Sequence, residues 1–368
     1  MKCNESSSGD RTPPAAGAAP QSPRRRLEAV LGFVRRRPKR ACLLFVLALF
    51  VTLNALAFVH AWSMTHFVDG GRTGRPQELS ALQKVGVLLT GVRLGRPRNT
   101  MTPATLRMPY TTHRYRGSGG IEYEAWHVPA GGVPLRRLPF QRPRGVVVLF
   151  HGYANCKAGL LAEADVVRRA GYDAFLVDFR GSGGSGGAST TVGYREADDV
   201  ADAVAYAQRT FQPRRTVLYG RSMGAAAALR AVSLGKVKPD ALVIESPFDR
   251  MLTTVDHRFR LMGVPAFPLS RLLVFWGGVQ HGYWAFGHNP AEYARSVSCP
   301  TLMIRAGKDP FIRGHEAEAV FNNVPAAKQM VVFEDAGHQA LVAVDPGRWS
   351  RDVTRFLLAG PQGRGAGR

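Results

Sequence analysis

The amino-acid sequence predicts an α/β fold, built from about eight mostly parallel strands flanked by helices. From about residue 108 the chain alternates short β-branched or apolar runs with longer amphipathic runs, which is typical of a parallel sheet covered by helices. In addition, residues 216–229 read as a strand, a Gly-x-Ser-x-Gly turn and an Ala-rich helix. The 368 residues suffice for one such domain with an insertion and a terminal extension.

The first two predicted strands, residues 108–115 and 121–128, are joined by the Gly-rich run 116–120 and predict an antiparallel hairpin. The later strands alternate with amphipathic runs, of which residues 160–170 and 195–209 are clear helices. These later strands are predicted at residues 146–150, 174–178, 216–219, 241–244, 301–305 and 329–333.

The predicted α/β core occupies residues 108–360 and carries an insertion at about residues 249–298. The insertion follows one strand and precedes the next, and about fifty residues are too many for a plain loop in a compact domain. We therefore expect a small helical lid there. The Gly- and Arg-rich end, residues 361–368, is predicted to be a disordered tail, and residues 64–107 a connecting segment.

An apolar run near the amino terminus predicts a membrane anchor at residues 41–63. Residues 41–59 are uncharged and close to the ~20 residues that a helix needs to cross the hydrocarbon core of a bilayer. Trp62 follows at the place of an interfacial aromatic side chain. The preceding stretch, residues 1–40, is basic and rich in Ser, Pro and Gly, and is predicted to be a disordered cytoplasmic tail.

The charges on either side of the apolar run predict its orientation. Lys and Arg crowd residues 24–40, whereas the first stretch beyond the run offers only Arg72, Arg75 and Lys84. By the positive-inside rule the amino terminus stays in the cytoplasm and the large domain is extracytoplasmic, which means periplasmic in a Gram-negative cell. A cleaved signal peptide is the alternative, because the Ala-Leu-Ala at residues 55–57 could be a cleavage site.

The formal charge of +22 would suggest a nucleic-acid partner if the basic residues formed a stripe with interleaved aromatics. Many of them instead precede residue 41, the others are scattered, and no nucleic-acid-binding motif occurs, so we expect a membrane partner and no nucleic acid. The four cysteines have neither a Cys-x-x-Cys pair nor metal-ligand spacing, so a disulfide scaffold is excluded.

Ser222 is the candidate nucleophile. It stands in Gly-Arg-Ser-Met-Gly, residues 220–224, between a predicted strand and an Ala-rich helix, and this context is that of a nucleophile elbow. The tight turn leaves no room for side chains two residues before and two residues after the serine, which explains the two glycines. A serine hydroxyl is a poor nucleophile at neutral pH, so it requires a general base and an acid that orients the base.

Asp309 and His338 are the candidate acid and base. Asp309 follows the strand 301–305 and His338 follows the strand 329–333, and the carboxyl ends of parallel strands are where open α/β sheets build their sites. The chain order Ser, Asp, His is the one this type of fold requires. Asp335 is too close in sequence to reach the far imidazole nitrogen, and Glu245 is interpreted as a structural hydrogen-bonding residue.

A tetrahedral oxyanion needs two preorganised N–H donors. The residue after the nucleophile, Met223, supplies the first candidate, and Tyr153, in the turn after the strand 146–150, supplies the second. Gly152 permits the close turn, and His151 is interpreted as a structural residue beneath it. The Gly-x-Gly-x-x-Gly at residues 181–186 is rejected as a dinucleotide site, because no helix begins at those glycines.

Taken together, these motifs resemble the α/β-hydrolase superfamily. The resemblance rests on residues 151–153, 178–185, 220–224, 307–309 and 337–338 and spans about residues 108–358. Within the superfamily the chain is most similar to the serine aminopeptidase and monoacylglycerol-lipase-like branch and to membrane-anchored ABHD-type hydrolases. The resemblance implies ester or amide hydrolysis through an acyl-enzyme, without a metal or an organic cofactor.

An ester or lipid with an apolar acyl chain is the expected substrate. The lid is rich in aromatic and aliphatic residues and has no Asp or Glu between Asp256 and Glu292, whereas an aminopeptidase needs a carboxylate for the free amine of its substrate. A serine peptidase remains the alternative enzyme. A non-catalytic membrane-anchored interaction protein is the alternative of a different class, although such proteins generally lose a triad residue.

Overall fold

A computed structural model describes residues 23–70, 90–131 and 143–359, with a few single residues between positions 80 and 87. The predictions for residues 1–22, 361–368 and most of the segment 71–89 lie outside the described residues. The chain forms two compact units, of which the first ends at Thr52 and the second begins at Leu53.

The amino-terminal helices are α1, Pro23–Arg36, and α2, Pro38–Thr65. The chain is helical over residues 23–36 and from residue 38 onward, which corrects that part of the disordered tail predicted for residues 1–40. A proline at the first helical position is preset for helical φ, and Arg35 and Arg36 lie in the last turn of α1, where cations interact favourably with the helix dipole. A new helix begins at Pro38, whose ring nitrogen cannot donate the hydrogen bond that would continue α1.

Among the described residues, α2 is the one helix long and apolar enough to cross a membrane, with a mean hydropathy of 2.6 over its most apolar window. It starts three residues before the predicted anchor and ends two residues after it. Its large apolar side chains between residues 43 and 51 are 47–68% exposed, so they are not the core of a folded domain. Such a surface is stable in an apolar medium and costly in water.

Eight strands of the described chain form one mostly parallel sheet, which confirms the predicted fold class. Their order in the sheet is β1-β2-β4-β3-β5-β6-β7-β8. The strands are β1 Thr111–Arg116, β2 Glu122–Val128, β3 Val146–Phe150, β4 Asp173–Val177, β5 Thr216–Arg221, β6 Ala241–Glu245, β7 Thr301–Ala306 and β8 Lys328–Phe333.

The first two strands pair antiparallel, as the Gly-rich turn predicts, and β2 also pairs antiparallel with β4. Every other neighbouring pair is parallel. The chain leaves β3 towards β4 on one side and later returns to β5 on the other, so the strand order reverses beside β3. The carboxyl ends of β3, β5, β7 and β8 therefore open onto the same edge, where α/β sheets bind ligands.

Helices cover both faces of the sheet, and the sheet separates two apolar cores. The alternation along β3 shows this, because Val146 and Val148 face one core while Val147 and Leu149 face the other. The helices are α3 Leu161–Arg169, α4 Glu196–Phe211, α5 Met223–Ser233, α6 Met251–Leu261, α7 Leu269–His281, α8 Pro290–Tyr293, α9 Gly314–Asn323, α10 Leu341–Val344 and α11 Pro346–Leu358.

The segment between β6 and β7, residues 249–298, is named the lid segment here. It contains α6, α7 and α8 and two short 3-10 turns, Ala285–Gly287 and Ala294–Ser296. In helices the backbone N–H and C=O groups of this segment hydrogen-bond to one another, so the segment needs no strand partner in the sheet. Cys156 and Cys299 are both buried and unbonded to one another, as expected from their positions at opposite ends of parallel strands.

Candidate active site

Ser222 occupies a strained turn between β5 and α5. Its backbone has φ 52° and ψ −111°, a combination that a residue with a Cβ adopts only when its surroundings enforce it. Its N–H donates to the carbonyl oxygen of Glu245 at 2.8 Å, and its own carbonyl accepts from the N–H of Ala226 at 3.1 Å. The serine side chain is thereby held at the carboxyl edge of the sheet.

The flanking glycines are required by close backbone approach. A Cβ at Gly220 would lie 2.5 Å from the carbonyl oxygen of Gly224, and a Cβ at Gly224 would lie 2.4 Å from the carbonyl oxygen of Phe150. Both distances are below any real carbon–oxygen contact. Ala225–Ala228 are fully buried, so α5 packs directly on the sheet behind the turn. The Gly-x-Ser-x-Gly pattern is therefore a steric consequence of the elbow.

The three predicted triad residues come together at the carboxyl edge of the sheet. The Oγ of Ser222 lies 3.2 Å from the Nε2 of His338, and the Nδ1 of His338 lies 2.7 Å from the Oδ2 of Asp309. Asp309 follows β7 and His338 follows β8, as the sequence predicts. The side chains form one hydrogen-bonded chain from carboxylate to imidazole to hydroxyl.

Asp309 is held rigidly by its own loop. Its Oδ1 accepts hydrogen bonds from the backbone N–H groups of Phe311 at 2.9 Å and Ile312 at 3.1 Å, which leaves Oδ2 for His338. Its side chain is 2% exposed, against 22% for that of His338. A buried carboxylate on Nδ1 fixes the imidazole with its proton on that nitrogen, so Nε2 is left as the acceptor for the serine hydroxyl.

The competing acid Asp335 points away from the imidazole. It pairs with Lys308 at 2.7 Å, and both side chains are exposed, at 88% and 70%. This cation lowers the pKa of Asp335, so its carboxylate stays ionised in solvent and takes no part in the hydrogen-bonded chain.

Glu245 is a buried structural acceptor, in agreement with the sequence interpretation. Its Oε1 accepts from the N–H of Leu341 at 3.1 Å, and its Oε2 accepts from Tyr219 at 3.0 Å and Trp349 at 2.9 Å. Because its carbonyl also binds the N–H of Ser222, one residue connects the nucleophile turn with the loop that carries His338. These contacts span up to 104 residues of sequence and have no local signature.

The turn after β3 lies against the nucleophile. A Cβ at Gly152 would be 3.6 Å from the Cβ of Ser222, so the backbone of this turn borders the serine side chain. Within the described chain, no protein acceptor takes a hydrogen bond from the backbone N–H of Tyr153 or of Met223. Both N–H groups are therefore available to a ligand, and their assignment as oxyanion donors stays a prediction.

His151 lies beneath this turn and is fully buried. Its Nε2 accepts a hydrogen bond from the N–H of Phe179 at 3.2 Å, and its Nδ1 lies 2.8 Å from the carbonyl oxygen of Gly152. Burial lowers the pKa of His151, so the ring is neutral with its proton on Nδ1. It supports the turn and is not a second base.

Two residues near the triad were not predicted from the sequence. The ring of Phe311 meets that of His338 edge to face, with centroids 5.3 Å apart. The guanidinium of Arg258, on α6 of the lid segment, lies 5.1 Å from the ring of Phe311 and 5.6 Å from that of Tyr153. The lid segment thus contacts both the acid loop and the turn after β3. A local pattern could not have indicated this, because the contact is made by side chains distant in sequence.

Two further features of the described residues concern the metal and dinucleotide sites considered from the sequence. Within those residues, no group of three or more His, Cys, Asp or Glu side chains could hold a metal ion. The glycines at 181–186 form a loop, and the next helix, α4, begins only at Glu196. A dinucleotide site would require a helix that begins at the glycines. Arg96 fills the loop by donating to the carbonyl oxygens of Ser185 and Gly187.

Comparisons with known proteins agree with this fold. The sequence model of the serine aminopeptidase S33 family matches residues 141–272. An uncharacterised protein of Bacillus subtilis is 22% identical over 241 residues, which cover 65% of this chain and 76% of that protein. An uncharacterised membrane protein of Saccharomyces cerevisiae is 21% identical over 257 residues, which cover 70% of this chain and 82% of that protein.

Among solved structures, an esterase of Pyrococcus furiosus superposes with a TM-score of 0.59 at 23% identity, over 72% of this chain and 97% of the esterase. An acetyl xylan esterase of a Paenibacillus species superposes with a TM-score of 0.52 at 17% identity, over 70% of this chain and 90% of that enzyme. The sheet order, the strained serine turn and these superpositions show that the chain has the α/β-hydrolase fold.

Proposed function

We propose that this protein is a membrane-anchored serine esterase, with Ser222 as nucleophile, His338 as general base and Asp309 as the residue that orients the base. The single observation that carries the proposal is the hydrogen-bonded chain from Asp309 through His338 to Ser222, which ends on a strained serine turn. Two of the structural neighbours are esterases, which supports the proposed reaction class.

In the first half-reaction, the Oγ of Ser222 attacks the acyl carbonyl carbon while its proton passes to the Nε2 of His338. Asp309 holds the imidazole and stabilises the imidazolium. The N–H groups of Tyr153 and Met223 bind the negative oxygen of the tetrahedral intermediate. The carbon–oxygen bond to the leaving alcohol then breaks, the alcohol takes the proton from His338, and the acyl group remains on Ser222.

In the second half-reaction, water replaces the alcohol. His338 takes a proton from the water as its oxygen attacks the acyl-enzyme, and a second tetrahedral oxyanion forms in the same position. Collapse of this intermediate breaks the bond to the Oγ of Ser222, which regains its proton from His338. The products are a carboxylic acid, an alcohol and the free enzyme.

The proposed substrate preference is for esters with an apolar acyl chain. The lid segment is rich in aromatic and aliphatic side chains and lacks an acidic residue between Asp256 and Glu292. An apolar lining favours an aliphatic chain, whereas the free amine of a peptide substrate needs an anionic partner. The serine peptidase therefore remains the second candidate, supported by the family match to serine aminopeptidases.

The acyl-chain preference is measured with p-nitrophenyl esters from acetate to octanoate. We expect kcat/KM to rise by up to about fourfold per methylene until the pocket is full, because each buried methylene contributes about 0.8 kcal/mol. The control is an aminoacyl p-nitroanilide, for which we expect negligible turnover. A flat or falling ester series together with turnover of the anilide favours the peptidase.

We also propose that α2 crosses the membrane with the amino terminus in the cytoplasm. The proposal follows from the basic residues before the helix and their scarcity just after it. An alkaline phosphatase fused to the carboxyl terminus should be active in cells, and a cytoplasmic reporter at the same place should be inactive. The opposite pair of activities contradicts the orientation, and a mature chain that lacks α2 indicates a cleaved signal peptide.

A further inference from the structure

The last turns of α2 pack against the lid segment. The indole N–H of Trp276 on α7 donates to the Oδ1 of Asn54 at 3.1 Å, and the amide of Gln280 donates to the carbonyl oxygen of Phe58 at 2.8 Å. The rings of Phe58 and Trp276 meet edge to face, with centroids 5.3 Å apart. Trp276 and Gln280 are four residues apart and share one face of α7. This face of the lid helix is occupied by α2.

These contacts place part of α7 at the depth of the apolar run. A helix rises 1.5 Å per residue, so Asn54 lies about 12 Å along the axis from Trp62 and about 7.5 Å inside the end of the run at residue 59. If Trp62 marks the membrane interface, the indole of Trp276 lies below it, on the hydrocarbon side. The α2–α7 contact cannot form with the lid segment held clear of the bilayer.

Hydrogen bonds hold the end of α2 and the residues just after it against the sheet domain. The carbonyl oxygen of Thr65, the last residue of α2, accepts from the N–H of Thr190 at 2.8 Å, and the N–H of Phe67 donates to the carbonyl oxygen of Ala188 at 2.7 Å. The hydroxyl of Tyr153 also donates to the carbonyl oxygen of Met64. The end of α2 is therefore hydrogen-bonded directly to the turn that borders Ser222 and to residues 188–190.

Most of the exposed large apolar side chains of residues 143–359 belong to the lid segment. Only three others, Leu234, Val344 and Leu358, are comparably exposed in that range. The lid apolar surface is defined by six side chains that are 40–72% exposed, namely Leu261, Met262, Phe267, Phe275, Val279 and Trp284. A surface of this kind on a water-facing domain is unfavourable, and it indicates contact with an apolar partner.

Two of these side chains lie on α7 next to the face that α2 occupies. Phe275 and Val279 each precede by one residue the pair that binds α2, and the rings of Phe275 and Trp276 are 5.2 Å apart. They line a groove of about 350 Å³ together with Tyr283, Trp284 and Phe286. The triad residues do not line this groove, so it is distinct from the place of the chemistry. Its lining suits an acyl chain and offers little to a polar ligand.

We propose that the lid apolar surface lies in the outer interface of the bilayer that α2 crosses, with acyl chains of membrane lipids in the groove beside Phe275 and Val279. The inference rests on the proposed membrane anchor. The main support for the proposal is that one helix, α7, both contacts α2 and bears exposed apolar side chains of the lid apolar surface. The lack of acidic residues between Asp256 and Glu292 removes the charge that would oppose contact with anionic headgroups. An ester dissolved in the membrane then reaches the lid segment without crossing water.

Photocrosslinking tests the proposal with the full-length protein. The photoreactive residue p-benzoylphenylalanine replaces Phe275 or Val279, and the protein is reconstituted in vesicles of equal parts phosphatidylcholine and phosphatidylglycerol. Leu47, within the apolar run of α2, is the positive control, and the exposed Leu234 at the end of α5 is the negative control. We expect on the order of tenfold more phospholipid adduct at residues 275 and 279 than at residue 234, because side chains in the interface contact acyl chains.

Each outcome of the experiment has one interpretation. Adducts at residues 47, 275 and 279 but not at 234 support the proposal. Adducts at residue 47 alone show that α2 is embedded while the lid segment stays in water, and this result overturns the inference and leaves the anchor intact. A protein–protein crosslink at residue 275 in place of a lipid adduct assigns the surface to a second copy. Absence of adducts at residue 47 refutes the membrane anchor itself. None of these results depends on turnover, so failure of the proposed esterase activity is measured separately.

Discussion

The variant Ser222→Ala is expected to lose on the order of a million-fold in kcat, or about 8 kcal/mol of transition-state stabilisation, as removal of a triad serine can. The reason is that no other hydroxyl within the hydrogen-bonded chain can receive the acyl group. A fluorophosphonate probe should label the wild-type protein at Ser222 and leave this variant unlabelled.

Ser233→Ala is the matched control for this experiment. Ser233 lies at the end of the same helix, α5, where its hydroxyl donates to the carbonyl oxygen of Arg230 at 2.8 Å. Its removal should change neither the labelling nor kcat. Undiminished labelling of Ser222→Ala, with the fold intact by circular dichroism, rules out Ser222 as the nucleophile.

The second large effect is expected for Asp309→Asn, which should lower kcat by about 10⁴-fold at neutral pH. An amide at this position donates to Nδ1 and so favours the imidazole tautomer with its proton on Nε2, where it cannot accept the proton of Ser222. The N–H groups of Phe311 and Ile312 still find an acceptor in the amide oxygen, so the loop should keep its shape.

Asp335→Asn is the matched control for the acid. Asp335 lies only three residues from His338 in sequence, yet its exposed side chain pairs with Lys308. An exposed ion pair contributes little to stability, so this variant should keep its kcat and its melting temperature. Loss of activity in Asp335→Asn together with retained activity in Asp309→Asn would show that Asp335, and not Asp309, orients His338.

The sheet and the serine turn were predictable because their signals are local. A buried parallel strand such as Val146–Phe150 is a continuous apolar run, and the glycines of residues 220–224 report a steric requirement within a few bonds of Ser222. Asp309 and His338 were predictable because each follows a strand at the same edge of the sheet.

Contacts between distant segments were not predictable in this way. Glu245 joins the serine turn to the loop of His338, but only its position after a strand is visible in the sequence. The hydrogen bond between Asn54 and Trp276 joins residues 222 positions apart. The helix Pro23–Arg36 was missed because the Ser-, Pro- and Gly-rich residues before it obscured a short amphipathic run. The contacts of Glu245 and of Trp276 depend on what packs against a residue, which its neighbours in sequence do not encode.

The most direct test of the account is to trap the acyl-enzyme. A p-nitrophenyl ester is mixed with the full-length protein, the reaction is quenched in acid within the first turnovers, and the digested peptides are weighed by mass spectrometry. We expect one acyl group, on the peptide that contains Ser222, and none in the variant His338→Ala, which lacks the base. Ester turnover without an acyl group on Ser222, or with the acyl group on another residue, contradicts it.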